Sequence, residues 1–424
     1  MIRTLWIVAP VALVACSGGD DGEQNPGDPC LESGAICTWL GVPGEARVDG
    51  EGTDRLKTHL YLPVDVEFAP DGTAYYPDYN NHRVRRISTD GVVDTVTGTG
   101  FLGDGPNVLG SASNCWGGCN ALDSAWNHPT GIAVNPENPD ELWIAAWHNS
   151  RVNVVDLATN TMTWYAGTGA RNYSPGVDTE IDEDTSGLNE LWMDLPSAVG
   201  FGPDGTVYYT DQANHMIRGI RPDGTPVDVS GTPRHAGFSG DGGPAADAQL
   251  HGYTDQKADP GSKMVIDGSL MYIADTVNGV IRLIDLDAMT IDTVAGKYES
   301  LGETEYVDAI TGIAYTADKG SKPGFSGDGG DALEAVFNTP RDVAVGIDGE
   351  VYIADTKNNC IRVLNTDGTV DTFAGQCGTE GAWGGDEGPA VDAQFSDPFG
   401  VAVDPEGNVY VSDTENQVIR RIQH

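Results

Sequence analysis

Two aspartates and a lysine stand where otherwise similar segments of the chain carry small residues. Asp65, Lys263 and Asp342 each lie near a proline that opens an apolar run, and the matching positions elsewhere are Gly131, Ala198 and Gly400. Brought together, two carboxylates and an amine offer acid and base work on a small ligand, or oxygen ligands for a metal. With Arg341 next in sequence to Asp342 they equally offer mutual neutralisation. His128, just before Pro129, is the one histidine in that column. A second constellation is acidic. Residues 178–184 hold five acids in seven positions, and Asp182-x-Asp184-x-Ser186-Gly187 reproduces the start of a calcium loop, where alternating oxygens surround the ion and glycine allows the turn. Its twelfth position is Met193 rather than a bidentate glutamate, so Glu190 or Asp194 would have to substitute; the alternative is a solvated acidic loop.

Seven cysteines form the third set. Their spacing suggests local disulfides, Cys30 with Cys37, Cys115 with Cys119 and Cys360 with Cys377, the last flanking a hairpin that turns at Asp367-Gly368. Cys115 and Cys119 could instead join His128 in a zinc site. Cys16 stands apart. It follows Arg3 and a short apolar run, residues 5–14, too short to span a bilayer and proportioned like the core of a signal peptide. Leu13-Val14-Ala15-Cys16 resembles a bacterial lipobox, which implies cleavage before Cys16 and its acylation; the alternative is an ordinary secretory signal cut elsewhere. Ser17 rather than Asp resembles lipoproteins sent on to an outer membrane. Three segments follow: a signal peptide over 1–15, a polar tether over 16–29, and a folded remainder over 30–424. The lipid is the expected membrane attachment, and six remaining cysteines suit an oxidising envelope compartment.

Composition narrows the function classes. Against 64 acidic residues the chain has 23 Lys and Arg, a formal net charge of -41, and so acidic a surface repels phosphate backbones and anionic lipid headgroups. Nucleic acid is excluded as a partner. A hydrophobic fraction of 39%, with 9 Trp and 15 Tyr, is enough for a core, so the charge does not mean disorder. The 56 Gly and 24 Pro, clustered with Asp and Asn, favour tight turns over long helices.

The elements that position the candidate residues come from a repeat. Tyr75-Tyr76-Pro77-Asp78, Trp143-Ile144-Ala145-Ala146, Tyr208-Tyr209-Thr210-Asp211, Tyr272-Ile273-Ala274-Asp275, Tyr352-Ile353-Ala354-Asp355 and Tyr410-Val411-Ser412-Asp413 align. Three residues after each last position stands an asparagine: Asn81, Asn149, Asn214, Asn278, Asn358 and Asn416. The flanks alternate apolar and polar β-formers, so each copy reads as strand, turn, strand, with asparagine suited to a left-handed turn. Arginine follows the aspartate by seven positions in Asp78/Arg85, Asp211/Arg218, Asp275/Arg282, Asp355/Arg362 and Asp413/Arg420. The second copy has Ala146 and Asn153, losing both together, as expected of a structural ion pair between adjacent strands.

An apolar run upstream and a short run ending in glycine downstream complete four strands per unit. Four-stranded antiparallel units repeated six times describe an all-β, six-bladed propeller, with long insertions between blades. The last copy ends after three strands. Residues 36–41 resemble the fourth-strand segments, and pairing them with the last blade closes the ring and removes two exposed sheet edges.

The pattern from Tyr352 to Arg362 resembles the NHL repeat. Gly237-Phe238-Ser239-Gly240-Asp241-Gly242-Gly243-Pro244-Ala245 and Gly324-Phe325-Ser326-Gly327-Asp328-Gly329-Gly330 are similar to linkers of bacterial NHL-repeat proteins. That resemblance implies a propeller and leaves function open among binding platforms, sensors and a few enzymes. The expectation is a lipid-anchored scaffold at the cell envelope, meeting a protein or glycan through its inter-blade loops. The alternative is a metal-dependent propeller enzyme, a lyase or lactone hydrolase, working in the central channel. The peptidyl-hydroxyglycine amidating lyase, similar in fold, holds a channel zinc with three histidines. Here the eight histidines are scattered in sequence, with no such cluster visible.

Overall fold

The computed structural model describes residues 29–106, 115–169, 188–253, 259–307 and 314–424. Six antiparallel sheets form the blades, and each runs outward from the strand nearest the axis. Blade two shows the pattern: Pro129–Val134 innermost, then Glu141–Ala146, Arg151–Asp156 and Thr161–Ala166. In blade six the order is Pro398–Val403, Val409–Asp413 and Val418–Ile422, and the fourth place is taken by Ala35–Leu40 from the other end of the chain. Ile36 lies opposite Ile422, so the expected ring closure is the one observed.

A chain this long usually divides into domains because one core stops growing. Here the apolar residues sort into one cluster at each blade junction. Ile36, Tyr352, Phe395 and Val411 lie between blades five and six, and Leu40, Tyr76, Tyr410 and Ile419 between six and one. Successive side chains of a strand point to opposite faces, so each blade feeds two of these clusters. A separate group of Trp147, Leu195 and Ala213, flanked by Tyr79 and Tyr253, joins the turns of the first three blades at the loop end of the ring.

Two features go beyond the expected plan. Inter-blade loops return along the blade they are about to enter and add a short fifth strand to its outer edge: Thr53–Asp54, Cys119–Asn120, Gly243–Pro244, Gly330–Asp331 and Gly388–Pro389. Gly242, at φ +74°, makes the turn into the strand at Gly243, and Gly240 must be glycine: its φ is +100° and a Cβ would lie 2.6 Å from Ala248. The other feature is a separate hairpin, Glu303–Val307 with Ala314–Asp318, inserted between blades four and five.

All three expected disulfides are present. Joining Cys115 to Cys119 consumes both thiolates, which overturns the zinc alternative with His128. The asparagine turns also differ from expectation. The left-handed residue is the one after each asparagine, at His82, Ser150, His215, Gly279, Asn359 and Gln417. The asparagine acts through its side chain instead: Asn278 donates to Asp275 and to Gly237 O, both at 2.8 Å, and so ties turn to loop. No helix among the described residues is long and apolar enough to cross a membrane.

Candidate functional site

An innermost strand has no neighbour on its axial side, so some of its N–H groups face the channel without a backbone partner. Carboxylates supply partners from the next blade. Asp65 of blade one accepts from Ile132 N of blade two at 3.1 Å, and Asp342 of blade five accepts from Val401 N of blade six at 3.2 Å. The column position of each donating blade is glycine for a steric reason. A Cβ at Gly131 would lie 2.5 Å from Ser197 O, and one at Gly400 2.7 Å from Val64 O.

Lys263 reaches from blade four across the axis to blade one. Its Nζ donates to Val64 O at 2.7 Å and lies 3.1 Å from Asp65 Oδ1 and 3.3 Å from Asp342 Oδ2. The lysine side chain is only 5% exposed, and those of Asp65 and Asp342 are 14% and 6%. The three column residues singled out by sequence therefore meet, and they fill the channel as a charged crossing. Beyond them lies a cavity of about 300 Å³. It shares walls with a wider mouth of about 540 Å³ bordered by Asp267, Ile347 and Asp404, on the face away from the long loops.

Three carboxylates face one ammonium here, because Glu67 also lines the cavity, accepting from Val134 N at 3.4 Å. Burial, with the charges of Asp65 and Asp342 added, pushes Glu67 up to about 8. Burial likewise drives Asp342 up to about 7, against the pull of Lys263, and raises Asp65. Burial opposes the charge on Lys263, but Asp342 and Asp65 hold its ammonium above the ordinary range. Glu67 escaped the sequence reading, although its place two residues after Asp65 put it on the same strand face.

Arg341 does not join the crossing. It donates to Pro260 O at 2.7 Å and Asp259 Oδ2 at 2.8 Å, and its guanidinium lies 4.0 Å over Phe399. His128 is also elsewhere, with Nδ1 2.8 Å from His148 Nδ1. Its ring sits 4.6 Å from that of His82 and 4.8 Å from that of His148, so three histidines scattered in sequence become neighbours at the junction of blades one and two. Among the described residues, though, no group of three or more His, Cys, Asp or Glu is placed to hold a metal. Glu190 lies in the turn Leu188–Glu190, and Asp194 gives its backbone N–H to Asp211 Oδ1 at 2.7 Å. Asp182, Asp184 and Ser186 of the candidate calcium loop, and Cys16, lie outside the described residues.

The repeated aspartate and arginine form a second ionic arrangement, with a third member that the sequence reading missed. Arg282 lies 3.6 Å from Asp275 and closer, at 2.8 Å, to Asp241 of the inter-blade loop. Arg362 and Arg420 repeat this, 3.7 Å from Asp355 and Asp413 and 2.5 Å from Asp328 and Asp386. In blade three Arg218 lies 3.2 Å from Asp211 and 2.9 Å from Asp228. Blade one departs from the expected Asp78/Arg85 pair, because Arg83 is the nearer at 3.9 Å and Arg85 donates to Gly50 O. In blade two, where Asn153 replaces the arginine, Arg151 pairs with Asp104 of the loop and lies 3.8 Å over Trp164.

Fold and repeat together define a six-bladed β-propeller, two of whose blades match the NHL repeat. The NHL repeat model matches residues 337–364 and 395–422, which are the inner three strands of blades five and six. Over 306 residues, 71% of this chain, the sequence is 28% identical to the chloroplast protein Suppressor of quenching 1 of Arabidopsis thaliana, covering 25% of that protein. It is 24% identical over 394 residues to teneurin-1 of Caenorhabditis elegans, which is 86% of this chain and 12% of that one. The chain thus spans a quarter or less of these relatives. Among solved structures, a protein of unknown function and an auxiliary nutrient binding protein, both from Bacteroides thetaiotaomicron, superpose with a TM-score of 0.58 each. They are 18% and 17% identical, over 91% of this chain and 75% of each of those.

Proposed function

We propose that this chain is an extracytoplasmic binding scaffold, tethered through a lipid on Cys16, that takes a protein or glycan partner on its inter-blade loops. The observation that carries this reading is the exposure of large apolar side chains there: Phe101 at 69%, Trp383 at 44% and Phe325 at 40%. Loops held to the blade edges by short strands present such residues from a rigid frame. The crossing by Lys263 fills the channel between blades one, four and five, which favours the loops over the channel as the contact surface. A similarly folded Bacteroides protein described as an auxiliary nutrient binding protein supports a binding role. The acidic stretch over 178–187 is proposed from its sequence as a calcium loop, tested by whether calcium raises the melting temperature of the wild type but not of Asp182→Ala.

The test is a screen of immobilised glycans and envelope proteins against the wild type and a Phe101→Ser/Trp383→Ser double variant. The expected result is a ligand whose affinity falls at least about tenfold in the double variant while the melting temperature stays put. A ligand bound equally by both proteins would sink the loop assignment. The anchor is tested separately, since Cys16→Ser should move the protein from the membrane fraction to the soluble one.

A further inference from the structure

Lys263 and Asp65 belong to opposite blades, yet Nζ lies 3.1 Å from Asp65 Oδ1 with both side chains largely removed from water. Asp342 Oδ2 stands 3.3 Å from the same Nζ, and the remaining Asp65 oxygen, Oδ2, receives Ile132 N–H at 3.1 Å. We propose that Lys263 and Asp65 condense to an isopeptide bond that staples blade four to blade one across the channel. A nucleophile, an acyl carbon, a second carboxylate to carry protons and an N–H aimed at the developing oxyanion are all in place.

The step balances without any co-reactant. The Lys263 ammonium passes one proton to Asp342, and the free amine attacks Cγ of Asp65, forming the C–N bond. Ile132 N–H holds the charge that grows on Oδ2. The Cγ–Oδ1 bond then breaks, and Oδ1 leaves as water with the proton returned by Asp342 and a second one from nitrogen. Ammonium plus carboxylate gives amide plus water, with Asp342 unchanged. The water has a place to go, since the crossing borders the 300 Å³ cavity and its wider mouth.

Two physical effects drive the condensation. Holding both groups in contact is worth effective concentrations of about 10⁵ to 10⁸ M, far above what free amine and acid reach. The product also replaces a buried ion pair, which burial penalises, by a neutral amide. Burial raises Asp342 to about 7, which suits a group that must take up and return a proton near neutral pH.

The experiment is mass spectrometry of the purified full chain after reduction of its disulfides. The expected mass is one water below that of the processed sequence. Trypsin should fail to cut after Lys263 and should release residues 258–282 joined to residues 58–83. Lys263→Arg keeps the charge for folding but lacks the nucleophile and should show the full mass, while Asp342→Asn should lose water more slowly. A folded wild type at full mass overturns the proposal, and so does a lost water that maps to any bond other than Lys263–Asp65.

Discussion

Two buried ionic arrangements share this fold, one repeated around the ring and one occurring once at its centre. The repeated one, complete in blades four to six, joins a strand aspartate, an asparagine and an arginine to an acid of the neighbouring loop, as in Asp355, Asn358, Arg362 and Asp328. The central one joins residues of blades one, four and five that lie far apart in sequence. Repetition marks a task that recurs around the ring, which in blades four to six is fastening the loop that brings the fifth strand. An asymmetric cluster answers to no such need, so it is where a specific chemical event belongs.

The largest effect is expected from Lys263→Met. It prevents the bond between blades one and four, which closes a loop of about 200 residues and contributes about 5 kcal/mol by chain-entropy arithmetic, and it leaves Asp65 a buried carboxylate with no cation beside it. Urea unfolding of wild type and variant measures it. A loss near 1 kcal/mol would make the crossing no more important than an ordinary surface pair.

Asp355→Ala comes next. It strips the fully buried Arg362 of one of its two carboxylates and Asn358 of one of its two acceptors, for a loss of about 3 kcal/mol. Adding Arg362→Asn imitates blade two, where Ala146 and Asn153 stand together, so the double variant should lose less than the two single changes added. Strict additivity would show that the aspartate and arginine do not act on each other. Arg151 shows why blade two tolerates the change, since it meets loop Asp104 from two residues earlier.

The peripheral arrangement was largely legible in the sequence, and the central one only in part. Period-two strands, aspartate at one fixed place and arginine seven residues on repeat often enough that Ala146 and Asn153 read as a paired loss. The loop acids did not read, because Asp241, Asp328 and Asp386 sit in long glycine-rich insertions whose course over the blade has no period. At the centre, the column identified Asp65, Lys263 and Asp342, but not which side chains cross the axis. Arg341 adjoins Asp342 in sequence yet points to Asp259, because neighbours on a strand face opposite ways. The gathering of His82, His128 and His148 was invisible for a related reason: it depends on how two blades pack, not on any spacing within one.

The smallest effect sharpens the contrast through pH. The Glu67 carboxyl holds its proton up to about 8 in the folded protein, against an ordinary value of 4.5. Between those values the unfolded chain has lost a proton that the folded one keeps, so this group's contribution to stability falls as pH rises through the window. Glu67→Gln removes the titration and retains a side chain of nearly the same shape. The variant should melt with the wild type near about pH 4 and a few degrees above it near about pH 9, the gap opening across the window. In the peripheral arrangement burial pushes Asp413 up to about 7, but Arg420 lies 3.7 Å from it and Asn416 donates to it, so replacing that aspartate should destabilise at both pH values. A Glu67→Gln variant that melts below the wild type at high pH would mean that the ionised carboxylate does structural work in the channel, like the peripheral aspartates.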